Sequence, residues 1–349
     1  MMNEIVENAL IGRLGSQLPR RPGQLNNSQE SDAELIPLPC GMHQVLAATT
    51  DAVVEEIESG LYADPYLVGW MTVMANLSDL AAVGAEPLGL LVAETIPVDF
   101  PGESLGALQQ GIADACRRLS THVLGGDTSF SDRLHTTGTA LGIIGGGAPM
   151  MRVGCRPGDV VFSTGRFGAG NAFALLSLAG DPSGADAFRP CARLREGISL
   201  REVASCCMDT SDGMLSTLDQ LGRLNSVGFI LDGVWDRFIS PEAEAIARVK
   251  GVHSWALCAG PHGEFELVFA VPTHKVAAMQ EAASRAGWTP VRLGTVAGAA
   301  GIELPGWGTL TPQQAAAIRN HPLRGREDIS TFLALLYGIE EAVRNSTEP

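Results

Sequence analysis

Apolar residues recur at Leu67, Val68, Trp70, Met71, Val73, Met74, Leu77, Leu80 and Val83. They go most of the way round a helix, which predicts a buried one. Asp64–Pro65 supplies an N-cap and a proline for the first helical position. Gly84 and Pro87 end the helix. Yet its last turns hold Asn76, Ser78 and Asp79, and Asn76 and Asp79, three apart, share a face. An ionised carboxyl in such a helix is costly unless something compensates it. Asp79 is therefore a cation ligand, or it caps a loop or pairs with an arginine; the helix alone leaves these readings open.

The same patterning predicts strands over residues 34–39, with a turn at Cys40–Gly41, and over Gln44–Thr49, ending on Thr50–Asp51. Further strands are expected over Leu88–Thr95, Thr121–Leu124 and Thr136–Ile144. The second of these runs into a turn at Gly125-Gly126-Asp127-Thr128. Leu105, Leu108, Ile112, Ala115, Cys116 and Leu119 recur at helical spacing. Gly145–Pro149 is the best boundary in the chain.

Beyond it, a strand at Val160–Ser163 leads through Thr164–Gly170 into a helix at Asn171–Ala179. That loop resembles a phosphate loop but lacks Gly-Lys-Ser/Thr, and a tight strand-to-helix turn explains it equally well. Residues 180–200 read as irregular. A strand at Val203–Met208 runs into Asp209-Thr-Ser-Asp-Gly213, where a helix Met214–Leu224 starts. Leu267–Val271 reads as a strand, and Lys275–Gly287, Gln313–Ile318 and Ser330–Val343 as helical. The expected organisation is a mobile arm (1–30), a first domain (31–148), a second domain (149–308) and a helical tail (309–349).

Composition narrows the class. With 349 residues, about two domains are expected. The 41 glycines imply many tight turns or close backbone approaches. A net charge of −15 argues against nucleic-acid binding, but carboxylates can hold magnesium that holds phosphate. No apolar stretch reads as long enough to span a membrane, and Met1–Arg20 does not read as a signal peptide. Seven scattered cysteines without zinc-ligand spacing fit a reducing cytoplasm.

Both halves share one theme: a strand or helix ends in an acidic turn. The turns are Thr50–Asp51, Asp79, Gly125-Gly126-Asp127 and Asp209-Thr210-Ser211-Asp212, with Asp32 before the first strand. Hard oxygen ligands of this kind suit magnesium, which takes one or two carboxylates plus substrate phosphates. The start of the helix after Asp212 also favours a phosphate anion. Any one aspartate is most simply a turn or cap residue; four such turns together favour a metal–phosphate site.

Thr49-Thr50-Asp51, Asn76-Leu-Ser-Asp-Leu-Ala-Ala-Val-Gly-Ala-Glu-Pro87, Gly125-Gly-Asp127 and Met208-Asp-Thr-Ser-Asp-Gly213 resemble, in order and spacing, thiamine-monophosphate kinase. That family belongs with aminoimidazole ribonucleotide synthetase, selenophosphate synthetase and the hydrogenase-maturation dehydratase. The resemblance covers roughly residues 30–300. It implies an α+β, two-domain PurM-like fold: an N-terminal mixed sheet with helices that forms a dimer, and a C-terminal α/β sandwich. ATP and several magnesium ions would bind in a cleft at the dimer interface. It implies Asp32, Thr50, Asp51, Asp79, Asp127, Asp209 and Asp212 as metal ligands. Gly125, Gly126, Asp127, Thr128, Asn76 and Ser211 would contact the nucleotide, and Asp209 and Asp212 would serve catalysis. The expected activity is phosphoryl transfer from ATP to a small acceptor, by a homodimer with neither nucleic acid nor membrane as partner.

Three segments depart from the kinase pattern. Its Gly-Asp-Asp-Ala-Ala is here Glu30-Ser-Asp-Ala-Glu34. Its Asp-Met-Leu-Val-Glu-Gly-Val-His-Phe is here Asp51-Ala-Val-Val-Glu-Glu-Ile-Glu-Ser59. Its Gly-Gly-Glu-Asp-Tyr-Glu-Leu is here Pro261-His-Gly-Glu-Phe-Glu-Leu267. The last two bear on the acceptor. His262 reads either as a substrate contact or as a solvated loop histidine. Two alternatives stay open: an ATP-driven ligase or dehydratase of the same superfamily, and a non-catalytic nucleotide-binding protein. Within the superfamily, the arm's lack of a cysteine before Cys40 disfavours selenophosphate synthetase, and an ending in Thr347-Glu-Pro disfavours the dehydratase.

Overall fold

The computed structural model describes residues 4–17, 19, 21–38, 44–181, 188–321, 323 and 325–345. The turn expected at Cys40–Gly41 lies outside them. After helix α1 (Val6–Gln17), the first half builds a sheet from β1 (Glu34–Pro37), β2 (Gln44–Val53), β3 (Glu86–Pro97), β4 (Val123–Ser131) and β5 (His135–Gly145). The five strands lie in the order β1-β2-β5-β3-β4. Pairing is antiparallel except between β3 and β4, which run parallel. Helices α2 (Glu55–Glu58), α3 (Pro65–Val83) and α4 (Gly102–Arg118) complete this half.

Helix α3 is the one read from the sequence. Asp64 accepts from the Tyr66 N–H at 2.9 Å, and Gly84 closes the helix in the left-handed region at φ 72°. It packs on α4 through small residues: a Cβ on Gly69 would lie 2.1 Å from the Leu108 carbonyl, and one on Gly111 2.0 Å from that of Tyr66. By length and composition α3 could cross a membrane, contrary to the expectation that no stretch is long enough. Its apolar residues are spent on the interior instead: Leu67, Met71, Val73, Met74, Leu77 and Leu80 are all fully buried.

Two strands differ from expectation. β2 continues to Val53, so Thr50 and Asp51 lie within it rather than at its end. β4 runs straight through Gly125–Thr128, where a turn was expected. The parallel partner β3 gives these residues their ladder, from Leu91↔Gly125 to Glu94↔Thr128. The glycine at 126 serves that close approach, because a Cβ there would meet the Val92 carbonyl at 1.8 Å.

The second half holds β6 (Val160–Ser163), β7 (Cys206–Asp209), β8 (Gly228–Leu231), β9 (Leu267–Val271), β10 (Val291–Ala297), β11 (Gly301–Leu304) and β12 (Gly308–Leu310). Their order is β12-β11-β8-β10-β6-β9-β7. The helices are α5 (Ala169–Leu178), α6 (Leu194–Leu200), α7 (Gly213–Asn225), α8 (Pro241–Lys250), α9 (Ser254–Ala259), α10 (Val276–Ala286), α11 (Pro312–Arg319) and α12 (Asp328–Asn345). The stretch read as irregular contains α6. It forms because Leu194 and Leu200 are buried and Gly197 comes against the Ala81 carbonyl of α3, where a Cβ would lie at 2.0 Å.

One apolar core joins the two halves: Met74, Leu77 and Ala81 of α3 pack in the same cluster as Phe162, Cys207, Leu267 and Phe269. A second core, confined to the second half, takes in Ile318 of α11 and Phe332, Leu336 and Val343 of α12 beside Trp235, Trp255 and Trp307. Glu340 of α12 accepts from Trp255 Nε1 at 2.7 Å, which fixes the last helix to α9.

Candidate metal and nucleotide site

The acidic residues converge where α3 meets the second half. Asp32 precedes β1, Asp79 lies in α3 and Asp209 ends β7. One carboxylate oxygen from each lies within 4.8 Å of the other two. Two full charges at that spacing repel by about 3.5 kcal/mol at an effective dielectric near 20, so the cluster needs positive charge or protons. It has some of both. Arg152 Nη2 donates to Asp32 Oδ1 at 2.8 Å. Burial first, and then Asp51, Asp209 and Asp32, hold the Asp79 carboxyl well above the usual carboxylate range. Burial, with Asp32 next, pushes Asp209 up to about 7.

Hydroxyl groups orient these carboxylates. Ser78 Oγ donates to Asp209 Oδ2 at 2.7 Å, and Ser211 Oγ reaches Asp209 Oδ1 at 3.4 Å. Thr49 Oγ1 donates to Asp79 Oδ2. Desolvation raises the Asp51 carboxyl too, and its neighbour Asp79 opposes the rise. Because side chains alternate along a strand, Thr49 and Asp51 share the face of β2 that looks at α3. Thr50 points the other way and bonds the Gly138 carbonyl at 2.8 Å and Thr139 Oγ1 at 3.0 Å.

Asn76 is placed as a clasp. Its Oδ1 accepts from the Asp51 N–H at 3.0 Å, and its Nδ2 donates to the Thr72 carbonyl at 2.9 Å and the Asp51 carbonyl at 3.3 Å. That use of both amide ends holds β2 and its carboxylate against the helix. Asp212 stands at the N-cap of α7 without bonding the helix's own N–H groups, exposed at the rim. Crowding by surrounding protein raises its carboxyl, while Arg319 and Arg152 oppose the rise.

Gly125, Gly126, Asp127 and Thr128 are not drawn into this cluster. They are exposed on β4, the edge strand. Three strand spacings separate β4 from β2, roughly 14 Å across the sheet.

The donor set fits a hard divalent cation. Carboxylates from three separate segments converge, and Asp32 Oδ2 is buried without a partner, as are the hydroxyls of Ser31 and Thr210. Such orphaned oxygens are costly unless something binds them, and oxygen ligands of this type are what magnesium takes.

The loop that resembles a phosphate loop is already filled by the protein itself. Glu264, buried, accepts from the Gly168 N–H at 2.9 Å and the Gly170 N–H at 3.2 Å, at the start of α5. Burial pushes its carboxyl up to about 8. Glu266 accepts from Thr164 Oγ1 at 2.6 Å and pairs with Arg193. Between the two segments, the Gly263 N–H donates to the Ser211 carbonyl at 2.8 Å.

His262 is not a solvated loop residue. It packs against Tyr62, Phe173 and Phe188, with Nε2 3.2 Å from the Tyr62 hydroxyl. Burial pushes it down to about 4, so it is neutral at ordinary pH.

Sequence reasoning missed Thr49 and Arg152. Strand parity counted from Asp51 marks Thr49 once β2 is known to continue. Arg152 carried no sequence signal beyond its place just after the boundary.

Comparison with known proteins places this geometry in a family. Residues 30–144 match the family model of AIR synthase related protein, N-terminal domain. The thiamine-monophosphate kinase of Methanospirillum hungatei is 31% identical over 259 residues, which is 73% of this chain and 84% of that protein. A crystal structure of a protein from Thermus thermophilus superposes with a TM-score of 0.72 at 28% identity, covering 87% of this chain and 97% of that one. The structure of AaThiL complexed with AMPPCP and TMP also superposes at 0.72, with 22% identity over 86% of this chain and 93% of that one, a likeness of fold.

Proposed function

The chain belongs to the thiamine-monophosphate kinase family, and from that premise we propose that it transfers a phosphoryl group from magnesium-bound ATP to a small acceptor. The observation that carries this is the convergence of Asp32, Asp79 and Asp209 within 4.8 Å, with Asp32 Oδ2 buried and unpartnered. In this reading those three residues hold the cation, with Asp51 behind Asp79 and Asp212 at the rim. Magnesium would supply the charge that draws the phosphates together and stabilises the transferring group. The protein's own part is positioning. Thr49 and Ser78 fix the carboxylates, Asn76 locks β2 to α3, and the N-terminus of α7, beside Ser211 and Asp212, would offer its N–H groups to the phosphates. Gly125–Thr128, on the exposed β4, then act on the nucleotide away from the metal cluster. AaThiL, with its bound AMPPCP and TMP, supports ATP and thiamine monophosphate as the ligand types to try first.

The division of labour follows the chain. Residues 31–148 carry the nucleotide, the dimer surface and two of the three cation ligands, 149–308 carry Asp209 and the acceptor side, and helices α11 and α12 close the second core. The homodimer would form through the sheet face that leaves Leu88, Leu91 and Leu124 exposed. A cytoplasmic setting suits a consumer of ATP whose cysteines, among the described residues, are free and mostly buried.

Titration with a non-hydrolysable ATP analogue, with and without magnesium, tests the site. Asp79→Asn should weaken magnesium-dependent binding at least about tenfold, since one ligand charge is lost, and leave the magnesium-free fold as stable or more so, since repulsion is relieved. Unchanged affinity in a destabilised variant would make Asp79 a structural residue.

A further inference from the structure

Arg152 lies on the segment that joins the two halves, and that segment is tied to both. Its N–H donates to the Glu30 carbonyl at 2.8 Å, and the Met150 N–H donates to that of Val83 at 3.2 Å. From the other side, the Cys207 N–H donates to the Met151 carbonyl at 2.9 Å and Asn225 Nδ2 to the Arg152 carbonyl at 2.9 Å. The backbone is thereby fixed, and the side chain runs into the carboxylate cluster. Its Nη2 bonds Asp32, whose carboxyl is fully buried. Through Asp32, whose carboxylate lies within 4.8 Å of those of Asp79 and Asp209, its charge reaches the cluster, and it favours the ionised forms of Asp51, Asp209 and Asp212. Its Nε is buried without a partner.

The charges it meets come from both halves: Asp32, Asp51 and Asp79 from the first, Asp209 and Asp212 from the second. A guanidinium keeps its charge at any working pH and remains in place when no metal is bound. We propose that Arg152 is a positioning residue that acts as the built-in counter-ion of the cluster. It holds the carboxylates of the two halves together before a cation arrives, and it shares that role with magnesium afterwards. The inference rests on the magnesium reading above, and the two can fail separately.

The test is thermal unfolding of the full chain in EDTA and in saturating magnesium, for wild type, Arg152→Lys, Arg152→Met and Arg152→Met with Asp32→Asn. Removing one partner of a buried pair is strongly destabilising, whereas removing both is not. Arg152→Met should lower Tm in EDTA by on the order of 5 °C. Magnesium should return most of that loss, so the magnesium-induced rise in Tm is larger in this variant than in wild type. Arg152→Lys, which keeps the charge, should lose less, and adding Asp32→Asn should raise Tm in EDTA without any metal. Equal losses in EDTA and in magnesium, unrelieved by Asp32→Asn, would overturn the proposal. If wild type shows no magnesium response, the magnesium reading fails, while the double variant still decides the counter-ion role. If Arg152→Met does not fold, the EDTA-against-magnesium difference in Arg152→Lys decides it: a loss confined to EDTA supports the role, an equal loss refutes it.

Discussion

Ser78 Oγ donates to Asp209 Oδ2 at 2.7 Å, and this bond joins the central helix of the first half to the acidic turn of the second. Both residues are buried. A hydroxyl bond to an ionised carboxylate is worth about 1.5–3 kcal/mol, more than one to a neutral acid. Ser78→Ala should therefore destabilise the magnesium-free protein by about that much at pH 8 and by clearly less at pH 5.5, where Asp209, pushed up to about 7, is mostly protonated. Urea unfolding at the two pH values measures it. Equal losses at both would show that the bond does not respond to the charge on Asp209.

Three groups shape the pH dependence near neutrality, beside the raised carboxyls of Asp51, Asp79 and Asp212. Asp209 rises from 3.8 to about 7 and Glu264 from 4.5 to about 8, in each case mainly by desolvation. The folded protein holds those protons more tightly than the unfolded chain. Their stabilising contribution is complete below the unfolded values and is lost as pH rises through the folded ones. His262 works the other way: lowered from 6.5 to about 4, it costs stability as pH falls through that window. Stability without metal should thus fall most steeply just above the ordinary histidine value, where His262 no longer opposes the carboxyls. Urea midpoints in EDTA from pH 6 to 8.5 check this. Glu264→Gln should remove the upper part of the slope, and magnesium, by favouring ionised Asp209, the lower part. A flat profile would contradict the burial of both carboxyls.

Much of the fold and site is legible in the sequence, for physical reasons that differ by element. Helix α3 is readable with its caps because Asp64, Pro65 and Gly84 each have one dominant local use. Asp32, Asp79 and Asp209 stand out as acids beside or within apolar segments. β4 misleads because Gly125 and Gly126 look like a turn in isolation, whereas a neighbouring strand demands Gly126. β8, β11 and β12 are only three or four residues long, too short for a period to register. Ending β2 at residue 49 favours Thr50 over Thr49, and one residue of parity changes the face. The role of Arg152 depends on the path of a connecting segment, which no periodicity encodes.

The sheet of the first half predicts a dimer. Its helices cover one face, while the other leaves Leu88, Leu91 and Leu124 at 50%, 42% and 52% exposure, and Phe130 on the edge strand β4 at 70%. Apolar side chains exposed together are expected at an association surface, and an uncovered edge strand invites pairing. Sedimentation at micromolar concentration should give a dimer, and Leu91→Asp should shift it toward monomer without loss of helical signal. A monomeric wild type with nucleotide and magnesium bound would remove the dimer from the account.

The acceptor is where this chain should differ from its relatives. In the kinase pattern, Gly-Gly-Glu-Asp-Tyr-Glu-Leu offers a Glu–Asp pair; here Gly263 and Glu264 stand in its place. Gly263 has no room for a side chain, because a Cβ would lie 1.5 Å from the Thr210 carbonyl. Glu264 is turned inward onto the Gly168 and Gly170 N–H groups, and Glu266 is taken by Thr164 and Arg193. The segment therefore presents no free carboxylate, and its neighbour His262 is neutral among aromatic rings. A site built to hydrogen-bond a substrate group rejects analogues that leave its own polar groups unpaired. The reverse also holds: a substrate that needs a carboxylate partner loses it here. With purified protein, ATP and magnesium, thiamine monophosphate is expected to be phosphorylated with a kcat/KM at least about tenfold below that for an acceptor lacking a cationic ring, one such bond to a charged group being worth about 1.5–3 kcal/mol. Measuring thiamine diphosphate formation against a panel of neutral small acceptors decides the point. If thiamine monophosphate is the best acceptor of the panel, the inward turn of Glu264 does not govern specificity, and the family's usual reaction is also this protein's own.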